Sequence, residues 1–485
     1  MNHRMIGKLL GFLLLLECVF LFPSMIVSAI YREETAMRAV FLTMLIAAAL
    51  GGVLWLIGRK AHRHFYAREG MLVTALGWIV LSAVGALPFV IAGEIPSYID
   101  ALFEVISGFT TTGASILTEV EPMSKGLLFC RSFTHWLARM GILVFLLAIV
   151  PMGGKDGGSS VHLLRAESPG PSVSKLVPKM RQTAAILYGI YIALTVVNVL
   201  FLLAGNMPLF DSLCTAFGTA GTGGFGIKND SMAGYSPYIQ TVCTVFMALF
   251  GVNFSVYFLL LLRRFKQVFR NEELWLYVGI MLSAIAVITW DITSLFSGVG
   301  EALHHAAFAV SSVMTTTGFA TEDFNLWPEF SRSILVVLMI CGASAGSTGG
   351  GIKCARLLLL AKSLRARMRQ MLHPRSVNLV RVDGRAVGED TLLGVNTYMS
   401  AYCAIAVISF LILSLDGLSM ETNLTGMLAC LNNIGPGLAL VGPAGNYSCF
   451  TALSKIVLMV DMLVGRLEIF PILFLLSPRT WRKAG

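Results

Sequence analysis

Four short polar stretches built on glycine interrupt otherwise membrane-grade apolar sequence, and they can be written under one another without a gap. Residues 103–115 read FEVISGFTTTGAS, 213–225 LCTAFGTAGTGGF, 308–320 FAVSSVMTTTGFA and 425–437 TGMLACLNNIGPG. In each, a helix-compatible run ends in small or polar residues and then a glycine: Gly113, Gly223, Gly318 and Gly435. Successive glycines stand 110, 95 and 117 residues apart, a length that holds two membrane spans. A unit recurring at near-even spacing buries its faces against its own copies. Four copies of a helix–turn–glycine element are what a ring of backbone carbonyls around one cation requires.

The rest of the chain suits a membrane. Of 485 residues 56% are hydrophobic and only 13% charged, about half the charged share of a soluble protein. Apolar runs of about 20 residues are present, and the alternating pattern of a membrane barrel is not. The net charge of +9 sits in clusters: His3, Arg4 and Lys8, then 59–68, 155–181, 263–270, 362–385 and 479–483. The loops between them hold acidic residues, as in TEVEP (118–122), TEDF (321–324) and Asp416 with Glu421. That alternation is the positive-inside pattern; it places both termini in the cytoplasm, opens all four glycine elements outward, and argues against a nucleic-acid partner. Nine scattered cysteines show no metal-ligand or CxxC spacing and read as small packing residues. The run 9–30 ends in Val27-Ser28-Ala29, which resembles a cleavage site, but it is long for a signal peptide and reads as an uncleaved span.

Ten spans are predicted, at 9–30 and 36–58, then as pairs 71–92 and 127–150, 183–204 and 239–262, 274–296 and 332–361, 392–415 and 450–476. The fold class is therefore an all-α polytopic membrane protein, a two-helix hairpin followed by four helix–pore-helix–filter–helix repeats arranged with pseudo-four-fold symmetry. The expected divisions are 1–69, 70–180, 181–271, 272–390 and 391–485. All four repeats run the same way, unlike the inverted repeats of many transporters. Each pore element begins at a turn signal: Ile95-Pro96-Ser97, Met207-Pro208, Gly298-Val299-Gly300 and Gly417-Leu418-Ser419. About a dozen residues then remain before each glycine, roughly 15–20 Å of helix, enough to reach the bilayer centre and aim a partially negative C-terminus there.

The chemistry follows from stripping water off a cation, which needs several oxygens at once. Glycine permits φ > 0, so neighbouring carbonyls can turn to one axis. The expected ion-binding set is Thr111, Thr112 and Gly113; Gly221, Thr222 and Gly223; Thr316, Thr317 and Gly318; and Asn433, Ile434 and Gly435. Contact with the ion falls to Thr111, Thr112, Thr222, Thr316, Thr317, Asn433 and Ile434. The bland alternative, glycine and threonine as helix-packing residues, fits one copy better than four. None of the copies carries both glycines of a TVGYG loop, so fewer stacked sites and looser discrimination are expected.

Within the span at 332–361, GASAGSTGGG (342–351) holds five glycines and three hydroxyl residues. Each glycine costs a helix about 1 kcal/mol against alanine. Unwound backbone at that depth is tolerated only where it is buried or faces water. Ser344, Ala345, Gly346, Ser347, Thr348, Gly349, Gly350 and Gly351 are thus read as a gate hanging below the filter, against the alternative of a permissive kink. No phosphate-loop pattern is completed there or in 153–158. Arg466 lies in the last span with no carboxylate on its own face, so its partner is expected on another helix or among the carbonyls of the unwound loop; it is read as part of the gate, an anchor and a positive barrier on the ion path, with a structural ion pair as the alternative. Glu468 is expected to point elsewhere, and Lys455 and Asp461 carry no assigned role. Asp100, Glu104 and Asp211 on the pore helices either gather cations or simply favour helix starts. His304 and His305 read as packing before pH sensing, and Glu17 as facing a neighbouring helix.

With the TTTG and TGG elements, GASAGSTGGGIK and VGRLEIFP in view, the chain resembles the TrkH/KtrB family of potassium transport proteins over essentially its whole length. The extra hairpin at 9–58 is most like the TrkH branch. The resemblance implies a homodimer in the cell inner membrane, one pore per protomer admitting potassium ion, and a TrkA-like cytoplasmic nucleotide-binding ring. K⁺ is then transported substrate, with no organic cofactor in this chain. An H⁺- or Na⁺-coupled symporter with the same filter is the rival reading. An enzyme is not expected, because no paired acid–base residues or nucleophile turn are found. The basic segments 362–385 and 153–178 suit anionic membrane lipid, the regulatory ring, or both.

Overall fold

A computed structural model describes residues 2–59, 67–139, 180–375 and 378–481. Within them the chain is nearly all helix; its sheet content is a two-residue ladder, Arg381–Val382 against Arg385–Ala386. The opening helices His3–Ile30 and Glu34–Gly58 pack as a tight hairpin. Gly11 and Gly51 sit face to face, each where a methyl group would press on the other's carbonyl, so the backbones approach as small residues allow in lipid. Glu17 is buried on this hairpin and faces Gly85 of the next helix, as expected.

Four units follow. Each opens with a long apolar helix: Ala67–Gly85 continued by Leu87–Ile91, then Met180–Ala204, Glu272–Ile292 and Glu389–Leu413. Their outer faces expose residues such as Val196, Leu282 and Ile408, the arrangement expected against lipid. A re-entrant half-helix comes next in each unit: Tyr98–Phe109, Leu209–Gly221, Val299–Met314 and Met420–Leu431, of 12, 13, 16 and 12 residues. The turn signals fall at their N-caps. Ser97 accepts from Asp100 N at 3.4 Å and Ser419 from Thr422 N at 3.2 Å, while Pro208 and Gly298 start the other two. These half-helices are buried on nearly every side, with Phe103, Ala216, Phe308 and Ala429 wholly enclosed.

The inner helices of the second and fourth units are broken as well as that of the third, whose unwinding within 332–361 was expected. Six described helices are long and apolar enough to cross a membrane: the hairpin pair and the opening helix of each unit. Three inner helices stop after one half, at Pro237–Phe250, Glu329–Cys341 and Ala452–Arg466, and the first is described over Lys125–Arg139. At 13–15 residues each of the three covers about 20 Å, short of a bilayer core of about 30 Å. In the second unit the chain turns by 88° into Phe254–Leu261, with Asn253 capping the new helix through Ser255 N at 2.9 Å. The third unit unwinds over the glycine-rich segment before Cys354–Leu372. In the fourth, Glu468 and Ile469 take positive φ before Pro471 begins Phe470–Leu476. Each break thus sits where glycine, a capping residue or proline disfavours continued helix. The end of the span expected at 127–150 and the segment 153–178 lie outside the described residues.

Candidate functional site

Each half-helix ends in the same way. Thr111, Thr222, Thr316 and Asn433 are left-handed, with φ of +56°, +48°, +59° and +56°. Their N–H groups reach back three residues, to Gly108, Thr219, Val313 and Cys430. The next N–H groups, of Thr112, Gly223, Thr317 and Ile434, reach back five, to Ser107, Gly218, Ser312 and Ala429, at 2.8–2.9 Å. This is a Schellman ending, except that threonine or asparagine stands where glycine is usual. Three β-branched residues held at φ > 0 are outliers that the surrounding structure must enforce.

One residue later comes a glycine, again at positive φ: Gly113 (+79°), Gly224 (+71°), Gly318 (+87°) and Gly435 (+99°). The second copy therefore registers one residue later than alignment on Gly223 expects. Gly223 stands level with Thr112, Thr317 and Ile434, and Gly224 takes the glycine position. A sequence alignment had two adjacent glycines to choose from; only the backbone angles distinguish them.

These glycines close a ring. A methyl group on Gly113 would overlap the carbonyl oxygen of Gly223, one on Gly224 that of Thr317, one on Gly318 that of Ile434, and one on Gly435 would lie 2.7 Å from that of Thr112. Each unit touches the next, and the fourth returns to the first. Around this ring the backbone carbonyls of Thr111, Thr112, Thr222, Gly223, Thr316, Thr317, Asn433 and Ile434 belong to buried residues, yet among the described residues none receives a hydrogen bond. Buried carbonyls are ordinarily satisfied, so two stacked rows of unsatisfied oxygens are a site for a positive ligand. Gly113, Gly224, Gly318 and Gly435 all line one cavity of about 130 Å³ that opens above the ring.

Side chains brace the ring from behind. Thr110 and Thr315 share hydroxyl hydrogen bonds of 2.8 Å with Thr112 and Thr317. Asn433 donates to Thr112 Oγ1 at 3.0 Å and to Met462 O at 2.9 Å. The fourth copy departs from the others in that Tyr447 donates to Gly435 O at 2.6 Å. Behind the second copy lies His135, wholly buried, with Nδ1 donating to Gly108 O at 2.8 Å. Its ring fills the space where a Cβ of Gly223 would stand and its backbone the space beside Gly221, which explains the extra glycines of that copy.

The underside of the ring is occupied. The chain leaves its helix at Gly342 and pinches shut at Gly351, the two glycines being in contact at positive φ. Between them, Gly350 N donates to Thr316 Oγ1 at 2.7 Å, Thr348 O accepts from Thr222 Oγ1 at 2.6 Å, and Gly351 N donates to Asn432 O at 3.1 Å. Ser344 N and Thr348 N are held by carbonyls of Gly251 and Phe250, at the break of the second inner helix. The remaining left-handed residue of the TTTG copies, Thr111, accepts from the Arg139 guanidinium at 2.6 Å.

Arg139, Arg131 and His135 were not singled out in the sequence. Their spacing of four puts all three on one helix face inside an apolar unit, and that was the available signal. Arg466 does reach carbonyls, but those of Ala138 and Arg139, not those of the third-unit loop, because the last inner helix packs beside the first unit. Glu468 points away from Arg466, as expected. The kink after Arg466 turns it toward Lys353, at 2.6 Å, and Arg356, so it clamps the far end of the loop.

The acidic residues of the mouth are all engaged. Glu104 is buried against Arg131 at 2.5 Å and also accepts from Ser115 Oγ and Ile116 N. Asp100 pairs with Lys455 at 2.6 Å, and Asp211 accepts from Tyr235. Arg131 donates to Gly226 O at 2.9 Å and lies over Phe225, tying the outgoing strands of two units together. The cavity above the ring is lined by Arg131 and Lys228 and by no carboxylate. His304 bonds Gln240 and His305 bonds Thr321 while stacking on Phe296, which is packing.

A hairpin and four re-entrant units closing one carbonyl ring define a polytopic membrane protein of potassium-channel type. The family model for TrkH cation transport proteins matches residues 36–483. The Trk system potassium uptake protein TrkH of Salmonella typhimurium is 36% identical over the full length of both chains. TrkG of Escherichia coli, another Trk system potassium uptake protein, is 30% identical over 99% of each. The crystal structure of the potassium transporter TrkH from Vibrio parahaemolyticus superposes with a TM-score of 0.88 at 30% identity, covering 99% of this chain and all of that one. The chain belongs to the TrkH branch of the TrkH/KtrB family, a family of transporters and not of enzymes.

Proposed function

We propose that the protein conducts K⁺, and Rb⁺ with it, into the cell through the carbonyl ring, and that the loop 342–353 gates it from below. The observation that carries this reading is the pair of stacked, buried rows of carbonyls without hydrogen-bond donors, contributed equally by four units. Glycine is needed at Gly113, Gly224, Gly318 and Gly435 because each accommodates the carbonyl of the neighbouring unit. The ions would lie against Thr111, Thr112, Thr222, Gly223, Thr316, Thr317, Asn433 and Ile434. Their passage inward would be drawn by the membrane potential, about 2.3 kcal/mol per charge at 100 mV.

Gating rests on the hydrogen bonds that Thr222, Thr316 and Asn432 make with the loop, with Arg139 on the ring at Thr111 and Arg466 behind it. Opening requires the loop to leave the ring. We assign that work to a nucleotide-binding ring of the TrkA kind docking on the basic face, with the chain acting as a homodimer in the inner membrane and both termini in the cytoplasm. The functional divisions are 1–69 for the hairpin and 70–180, 181–271, 272–390 and 391–485 for the four units, the third carrying the gate.

The test is Rb⁺ and Na⁺ flux in proteoliposomes holding the full chain. Gly318→Ser is expected to relax the K⁺/Na⁺ ratio, and deletion of 346–351 to raise flux with the ratio unchanged. An unaltered ratio in Gly318→Ser would refute the filter. Reversal potentials should follow the K⁺ gradient alone; a dependence on the H⁺ or Na⁺ gradient would make the protein a symporter.

A further inference from the structure

The loop below the ring is held at a point that lies on neither the filter nor the inner helices. Helix Glu272–Ile292 begins with two carboxylates in succession, after Asn271 caps it through Leu274 N at 2.8 Å. Glu273 is buried, and its Oε1 accepts from the backbone N–H of Ala345, inside the loop, at 2.5 Å. Asn253, at the break of the second inner helix, borders the same carboxylate and also lies beside Gly346. Glu272 faces the other way. Its side chain pairs with Lys362 on the helix Cys354–Leu372, and its N–H donates to Asp383 at 2.9 Å. Lys362 in turn donates to Arg381 O at 2.7 Å, so helix and hairpin converge on one residue.

We propose that Glu273 is a positioning residue that latches the intramembrane loop shut, and that Glu272 beside it makes the latch answer to movements of the basic-face helix and hairpin. This rests on the gate reading above. The physical case is that a carboxylate accepting a backbone N–H makes a charge-assisted bond, stronger than a neutral one, in a place shielded from water. The bond exists only while Ala345 stays docked. Anything that rotates the first turn of Glu272–Ile292 moves both carboxylates together, because they are adjacent on one rigid helix. The helix Cys354–Leu372 is a suitable lever: it leaves the loop directly at one end and exposes Leu364, Met368, Met371 and Leu372 along its other half.

The experiment compares Glu273→Ala, Glu273→Gln and deletion of 346–351 in the full chain, by partner-free Rb⁺ flux, K⁺/Na⁺ ratio and melting temperature in detergent. Glu273→Ala should raise flux about tenfold at an unchanged ratio, and Glu273→Gln, which keeps an acceptor oxygen, should stay within about twofold of the parent. Wild-type flux in a folded Glu273→Ala protein, with the deletion still raising flux, overturns the latch and leaves the gate standing. No rise in either overturns both. Should Glu273→Ala fail to fold, the charge reversal decides. Glu272→Lys alone should raise flux and Glu272→Lys with Lys362→Glu should restore it, and failure of that restoration overturns the coupling.

Discussion

Thr222 carries two different jobs on one residue, and an isosteric substitution separates them. Its backbone carbonyl belongs to the ring, while its one hydroxyl proton lies between Thr348 O in the loop, at 2.6 Å, and Gly221 O, at 2.8 Å, with the shorter contact to the loop. Thr222→Val keeps the side-chain volume, and the N–H bonds of residues 222 and 223 to Thr219 and Gly218 still enforce the left-handed backbone, so the carbonyl stays in place. What is lost is a buried donor to the loop. A typical intramolecular hydrogen bond contributes about 0.5–1.5 kcal/mol net, and leaving a buried acceptor unsatisfied costs about 1–3 kcal/mol. With the loop displaced, Thr348 O meets water and the loss disappears, so the penalty falls on the closed state alone. The closed state should weaken by about 1–2 kcal/mol, which lowers the closed-to-open ratio roughly 5–30-fold. Partner-free Rb⁺ uptake into proteoliposomes reads this directly, with Rb⁺/Na⁺ competition as the control. Unchanged basal flux would refute the view that this hydroxyl holds the loop. A collapse of selectivity at constant flux would mean that the hydroxyl itself contacts the ion.

Gly224→Ala is expected to abolish selective uptake as severely as substitution of Gly113 or Gly318, since a methyl group there overlaps Thr317 O and the residue must hold φ of +71°; near-normal Rb⁺ uptake would restore Gly223 as the register glycine. Arg131→Ala strands Glu104 as a buried unpaired carboxylate, so the protein should lose about 3–5 kcal/mol of stability, seen as a large fall in detergent melting temperature. Lys228 lines the cavity above the ring without an ion pair among the described residues, resting over the Tyr235 ring at 4.1 Å. Lys228→Gln should therefore lower the KM for K⁺ by about two- to fivefold at low ionic strength, an effect that fades as salt screens it.

Much of this architecture is legible in the linear order of residues. Apolar run length forces helices through a bilayer, because lipid offers no partner for a free peptide group. The recurrence of helix, small polar residues and glycine marks the four units, and Pro208, Ser97 and Ser419 mark where their half-helices start. The glycine-rich segment of the third unit announces its own unwinding, because too many of its residues disfavour helix. These features are local, so the sequence alone determined them.

The rest depends on what faces what. Gly223 and Gly224 are equally good glycines in the sequence, and only the carbonyl of Thr317 pressing on one of them decides the register. Arg466 was expected to find its partner on another helix or in the third-unit loop, and packing settles it on another helix, at the carbonyls of Ala138 and Arg139. Glu468 points away from Arg466 as expected, but only the two-residue kink shows that its partner is Lys353. Glu104 was open between gathering cations and favouring a helix start, and Arg131 packed against it makes it a buried ion pair. Charge partners and backbone register are set by contacts between residues 27 to 328 positions apart, and no local preference encodes such contacts. The sequence fixes which residues can bend, cap or span. The tertiary structure decides which oxygens are left without donors, and those oxygens make the ring.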